Sequence, residues 1–238
     1  MEPASTARGA LPAPVGLFGV FVIYVVSGVV GALLIQGIAA LIAGAGATGG
    51  LDLRLAYGLS SVIMLGITLG VLWVHRATGT FARVFAWRGW PVVAIGVGSG
   101  FALKAIGDVL VSLETLGVPR VTVNNPLVIN PQAFAGPWAL LWLILGVVVA
   151  APVAEELLFR GLLYGWLRRY LPLWPAALLA GLGFGVAHRA WTLVLPLGAV
   201  GVGLCYLYER FGSLWPSAAA HGTLNAISLL LALMSHPR

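Results

Sequence analysis

Residues 137–166 read PWALLWLILGVVVAAPVAEELLFRGLLYGW, and this stretch decides the fold. From Pro137 to Ala154 there is no charge, and then come two adjacent glutamates and an arginine four residues on. A helix rises 1.5 Å per residue, so about 20 apolar residues cross the hydrocarbon of a bilayer. Six further segments read the same way: 15–45, 55–74, 91–113, 172–188, 192–209 and 214–234. The whole chain follows suit. Of 238 residues, 60% are hydrophobic and 8% charged, and the mean hydropathy is +1.01. A soluble domain carries roughly 25% charge. So poor a supply of charge cannot cover a water-facing surface, which excludes a cytosolic enzyme, a nucleic-acid binder and a disordered chain. Continuous apolar runs, with no alternation, exclude a membrane β-barrel. The expected fold is all-α, a polytopic membrane bundle of seven helices.

The connections add detail. A net charge of +6 and a pI near 10.1 come from a handful of loop arginines, which suit a negative cytoplasmic membrane surface better than a nucleic acid. Arg8, Arg76, Arg83, Arg88, Arg168, Arg169 and Arg210 fall on one side of the expected spans, and Arg54, Arg120, Arg189 and Arg238 on the other. The larger set marks the cytoplasm, so the N-terminus is expected inside and the C-terminus outside. The stretch 114–136, with Pro119, Asn124, Asn125, Pro126 and Pro131, reads as an external loop. It divides N-terminal helices (1–135) from a more polar core (136–238). Ala43-Gly44-Ala45 mimics a cleavage site, but the first apolar segment is long for a signal peptide. The 32 glycines suit close helix packing in lipid. A lone Cys205 excludes an intramolecular disulfide.

Ionisable groups inside lipid-length segments are costly, so they are where function is sought. Glu156 and Arg160 stand i, i+4, acid first, the favoured order for a helical ion pair. Glu155 points about 100° away from that pair and has no partner in its own helix. A purely structural salt bridge with a spare glutamate explains this segment as well. His188 ends Phe184-Gly185-Val186-Ala187-His188, where an interfacial histidine is the plain alternative. His221 and Asn225 share a helical face, where an interhelical hydrogen bond is the plain alternative. Taken together, five polar residues on three apolar segments require one shared polar cavity. Glu155 precedes Arg168 by 13 residues and His188 follows Arg169 by 19, which sets both on the order of 20–25 Å from the same turn. His221, eight residues past Ser213, reaches only about 12 Å. That mismatch demands tilt or a displaced helix start.

A carboxylate and imidazoles around a water can activate it, with or without a metal. An Asn amide or His N–H can hold the resulting oxyanion. Two His and one Glu are also a set that zinc accepts. Peptide hydrolysis within the membrane is the coherent product. Other protease plans fail on inspection. No histidine is followed by glutamate, as the H-E-x-x-H zinc plan needs. The only aspartates are Asp52 and Asp108, and Asp52 sits near a span end, unsuited to an aspartyl dyad. Gly98-Ser99-Gly100 lacks the glycine a rhomboid-type serine motif would place at Val97.

Glu155-Glu156-Leu157-Leu158-Phe159-Arg160, then Phe184 to His188, then His221-Gly222-Thr223-Leu224-Asn225 resemble the motif series of the CPBP family. That family comprises type II CAAX prenyl proteases and bacterial Abi or bacteriocin-processing proteins. The resemblance covers roughly 150–228. It implies an all-helical intramembrane endopeptidase with Glu155 and His188 activating water, and His221 and Asn225 holding the oxyanion. Glu156 and Arg160 become the supporting ion pair. It leaves open whether Glu155, His188 and His221 bind zinc or the mechanism is metal-free. The implied partners are membrane lipids and a peptide or protein substrate, lipidated or not, with no nucleic acid. Richness in Ala, Gly, Arg and Trp with one Lys resembles a GC-rich bacterial genome, which points to an inner membrane. A non-catalytic scaffold or bacteriocin-immunity protein keeping the fold, and a proton-relaying transporter, are the competing readings.

Overall fold

The computed structural model describes residues 62–70, 80–114, 143–188 and 190–234, with isolated positions at 19, 22, 26, 73, 116 and 141. Every regular element among these residues is a helix. Backbone N–H and C=O groups find no water in hydrocarbon, and a helix satisfies them within one segment. We label the helices α1 (62–70), α2 (Thr80–Val84), α3 (Trp90–Glu114), α4 (145–167), α5 (Leu173–Ala187), α6 (Val194–Phe211) and α7 (Trp215–Met234). A 3-10 turn, Trp191–Leu193, leads into α6. Three helices among the described residues are long and apolar enough to cross a membrane: Trp90–Glu114, Trp191–Phe211 and Trp215–Met234. The expected spans 91–113, 172–188, 192–209 and 214–234 correspond to α3, α5, α6 and α7 within a few residues. The span 55–74 is seen only in part, as α1. All of the first span but positions 19, 22 and 26, the Ala43–Ala45 motif and most of the 114–136 loop, with the 135/136 division, lie outside the described residues.

Small residues set the packing. Gly96 of α3 faces Pro216 of α7, and Gly100 faces Ala220, so these two helices run parallel in contact. A Cβ at Gly181 would stand 2.5 Å from the Gly198 carbonyl oxygen, and one at Gly185 would strike that of Val194, so α5 and α6 pack antiparallel backbone to backbone. Between α6 and α7 the chain turns at Gly212, whose φ of 57° is the left-handed cap that ends a helix. The start of α7 is pinned to the α2–α3 link: Leu214 N donates to Val84 O at 3.0 Å and Ser213 Oγ to Ala86 O at 2.7 Å. At this end of the bundle Glu209 accepts from Arg168 Nη2 at 2.9 Å and Arg83 Nη2 at 3.2 Å. Arg88 approaches Gly212 there too. Arginines that the charge count placed on one side therefore gather at one end.

The fourth helix is not a plain α-helix. Its winding is π over Leu145–Ala150, α over Ala151–Glu156, π over Leu157–Tyr164 and α again over Gly165–Leu167. Wide turns of this kind are frequent at functional sites. Here they flank the glutamate pair on both sides.

Candidate active site

The site is built outward from the second wide stretch of α4. Glu156 and Arg160 are both fully buried, and Arg160 Nη1 donates to Glu156 Oε1 at 2.7 Å. Arg160 Nη2 crosses to α6 and donates to the Gly201 carbonyl at 3.1 Å. Its guanidinium lies 4.8 Å from the centroid of the Phe184 ring, a cation–π contact. Two buried charges thus neutralise each other, and Arg160 also ties α4 to α5 and α6.

Glu156 Oε1 has a second neighbour, His221 Nδ1 at 3.0 Å. A carboxylate paired with arginine accepts, so the imidazole carries a proton on Nδ1 and turns Nε2 the other way. His188 is fixed by the same logic, because its Nδ1 lies 2.8 Å from the Phe184 carbonyl oxygen, which can only accept. The two free Nε2 atoms converge on Glu155 Oε2, His221 at 3.8 Å and His188 at 3.9 Å. That oxygen is buried and has no hydrogen-bond partner. Phe184 organises the group: its ring centroid lies 4.6 Å from that of His188, 5.5 Å from that of His221 and 5.2 Å from that of Phe159. Side-chain exposure falls from 33% at His188 through 19% at Glu155 to 4% at His221, so the cluster opens on the His188 side.

Glu155, Glu156, His188 and His221, four of the five residues expected to share a cavity, meet here with Arg160 behind Glu156. Asn225 is on the same helix one turn beyond His221, but its Nδ2 donates to the Val147 carbonyl of α4 at 3.0 Å. The depth mismatch counted from the sequence does not keep His221 apart, since its Nε2 reaches Glu155 Oε2 at 3.8 Å. Sequence reasoning missed the carbonyl partners Gly201 and Val147. Backbone acceptors leave no mark in a side-chain pattern, although Pro152, which lacks a donor, hinted at the second.

Three lone-pair atoms facing one another call for something that donates or is positive. Gaps of 3.8–3.9 Å are too wide for a direct hydrogen bond. A zinc ion bound at 2.0–2.2 Å holds tetrahedral ligands about 3.3–3.6 Å apart. The donor types and the second-sphere partners at each Nδ1 suit zinc, but the spacing is a few tenths of an ångström too wide. Among the described residues no three His, Cys, Asp or Glu side chains form a set that would hold an ion as they stand.

An apolar cavity of about 690 Å³ lies between α3, α4 and α7, lined by residues near the cluster in sequence but by none of its own side chains. Trp87, Trp90 and Trp215 rim it, packed edge to face, and Val153 and Gly222 line it next to the glutamate pair and His221.

Comparison with known proteins bears on the same region. The family profile of the Rce1-like type II CAAX prenyl endopeptidases matches residues 137–227. A Bacillus subtilis (strain 168) protein named "Putative membrane peptidase YdiL" is 27% identical over 85 residues, 36% of this chain. The chain spans about a third of that relative's length, 35%. No solved structure matches. The matched stretch begins just before α4 and ends two residues past Asn225, enclosing every residue of the cluster. Over residues 137–227 the chain is thus similar to the type II CAAX prenyl endopeptidases, the same resemblance that its glutamate, histidine and asparagine motifs carry.

Proposed function

We propose that this protein is an intramembrane endopeptidase whose catalytic core is 136–238 and whose base is Glu155. The observation that carries this reading is the convergence of Glu155 Oε2 with the Nε2 atoms of His188 and His221, at 3.9 and 3.8 Å. A water about 2.8 Å from these atoms spans the gaps, donating its two hydrogens to Glu155 and His188 and accepting from His221 once that ring is also protonated at Nε2. Glu155 takes one of its protons, and the oxygen bonds to the peptide carbonyl carbon. The oxyanion that forms is met by N–H groups, from His221 when protonated at Nε2 and from the second amide hydrogen of Asn225. Collapse breaks the C–N bond, and the proton held by Glu155 passes to the leaving amine. One water is consumed, and a carboxylic acid and an amine are released, which exchange a proton to leave carboxylate and ammonium. Glu156 holds the His221 ring in place, as the aspartate does in a serine-protease triad, and Arg160 holds Glu156. If zinc enters, Glu155, His188 and His221 are the residues that hold it, and it would supply Lewis-acid activation of the water.

The apolar cavity between α3, α4 and α7 suits substrates that arrive through the membrane: peptides or protein tails with apolar flanks, lipidated or not. The arginine-rich end near Glu209 faces the cytoplasm of a bacterial inner membrane in this reading. The test is cleavage of a peptide library by the detergent-purified protein, read by mass spectrometry. Removing a general base costs typically about 10²–10⁴-fold, so Glu155→Gln and His188→Ala should lose cleavage by that order. Equal cleavage by wild type and both variants would sink the assignment.

A further inference from the structure

The structure assigns Asn225 a positioning role, in which it forms with Pro152 a lock that fixes the wide turn ahead of Glu155. In the π stretch Leu145–Ala150 each bond spans five residues, and its last one runs from Ala151 N–H to Gly146 O. The next bond in that winding would run from residue 152 to Val147 O. Residue 152 is proline and has no N–H to give. An orphaned carbonyl at membrane depth is costly, and helices that contain proline are tolerated where a neighbour supplies the missing donor. Asn225 Nδ2 supplies it at 3.0 Å. Gly222, three residues earlier on the same face of α7, covers the adjoining carbonyl: a Cβ there would stand 2.7 Å from Val148 O. So α7 lies against the very carbonyls that Pro152 exposes. Asn225 stands one turn from His221, and Pro152 stands three residues before Glu155. A single interhelical hydrogen bond thus sets the two sides of the cluster relative to each other. The lock stands on geometry alone, while its effect on cleavage rests on the protease reading above.

A double-mutant cycle tests it on the full chain in detergent, with thermal unfolding and hydrogen exchange of peptides over 145–156. Asn225→Ala should lower the unfolding midpoint by about 4 °C and speed exchange around Val148–Val153. In a Pro152→Ala background, the new N–H serves the carbonyl row. The same Asn225→Ala change should then lower the midpoint by less than half as much, with little further exchange. Additive effects in the cycle overturn the lock. Asn225→Asp keeps the shape but sets an acceptor against Val147 O. It should exchange at least as fast as Asn225→Ala, and wild-type exchange in it overturns the lock even if Pro152→Ala does not accumulate. On any peptide the wild type cleaves, Asn225→Ala should lower kcat with KM held within about twofold, and Pro152→Ala should restore part of it. A kcat loss without faster exchange and without rescue marks an oxyanion role alone and overturns the positioning role. Should the wild type cleave nothing, the protease reading fails, and unfolding and exchange still decide the lock.

Discussion

Arg160→Met separates what the buried ion pair does for stability from what it does for chemistry. Glu156 and Arg160 are both fully buried, and Oε2 of Glu156 already lacks a partner. Removing Arg160 strands the carboxylate, and breaking a buried pair on one side costs about 3–5 kcal/mol. At roughly 2–4 °C per kcal/mol for a chain of this size, the unfolding midpoint should drop by about 6–20 °C. Tryptophan fluorescence in detergent reads it, since Trp87, Trp90 and Trp215 sit where α3 and α7 pack. The double variant Glu156→Leu/Arg160→Met removes both charges, and replacing a buried pair by apolar groups is often neutral. Most of the lost stability should return. Cleavage should not, because His221 Nδ1 has lost its acceptor at 3.0 Å and its ring is free to turn. Loss of such an orienting partner costs about 10–100-fold. A single variant that unfolds at the wild-type temperature, or a double variant that cleaves normally, would refute the reasoning.

Four further outcomes can be checked with the same protein. Phe184→Ala removes the ring packed against Arg160, His188 and His221, and should destabilise by about 3–5 kcal/mol; Phe184→Leu should recover part of that in the same unfolding assay. Gly185→Ala pushes a methyl into the Val194 carbonyl at the α5–α6 crossing, and should cost about 1–3 kcal/mol by the same measurement. Arg83→Ala should change stability by no more than about 1 kcal/mol, because that side chain is 51% exposed in its pair with Glu209; a larger loss would make the arginine end a structural keystone. Metal analysis of active protein beside His221→Ala should find no stoichiometric ion if Glu155 acts without one; an ion present and lost in the variant would reassign Glu155, His188 and His221 as ligands.

Much of this architecture was legible in apolar run length, because lipid leaves the backbone few choices. Segment limits for α3, α5, α6 and α7 came within a few residues for that reason. The Glu156–Arg160 pair was legible from i, i+4 spacing, and the convergence of Glu155, His188 and His221 from the cost of leaving any of them alone in lipid. The π winding was not, since it arises from how α4 packs and from one missing donor at Pro152. Nor was the use of Asn225 on Val147, because a carbonyl contact three helices away in sequence has no periodicity. The depth estimate for His221 missed its contact with Glu155, because a count of residues along each helix does not say how the helices meet.

The wide turns of Leu157–Tyr164 also carry an evolutionary consequence. A π turn accommodates a residue that an α turn does not, so this stretch acts as a one-residue insertion between the Glu156–Arg160 pair and Arg168. Deleting one residue after Gly161 would let α winding resume. It would leave the pair untouched and, because the wide turn absorbs the extra residue, keep Arg168 on the face that meets Glu209. Relatives that lack this residue should align with a gap between the glutamate motif and the following turn, and should keep the same ionic pairing at that end of the bundle.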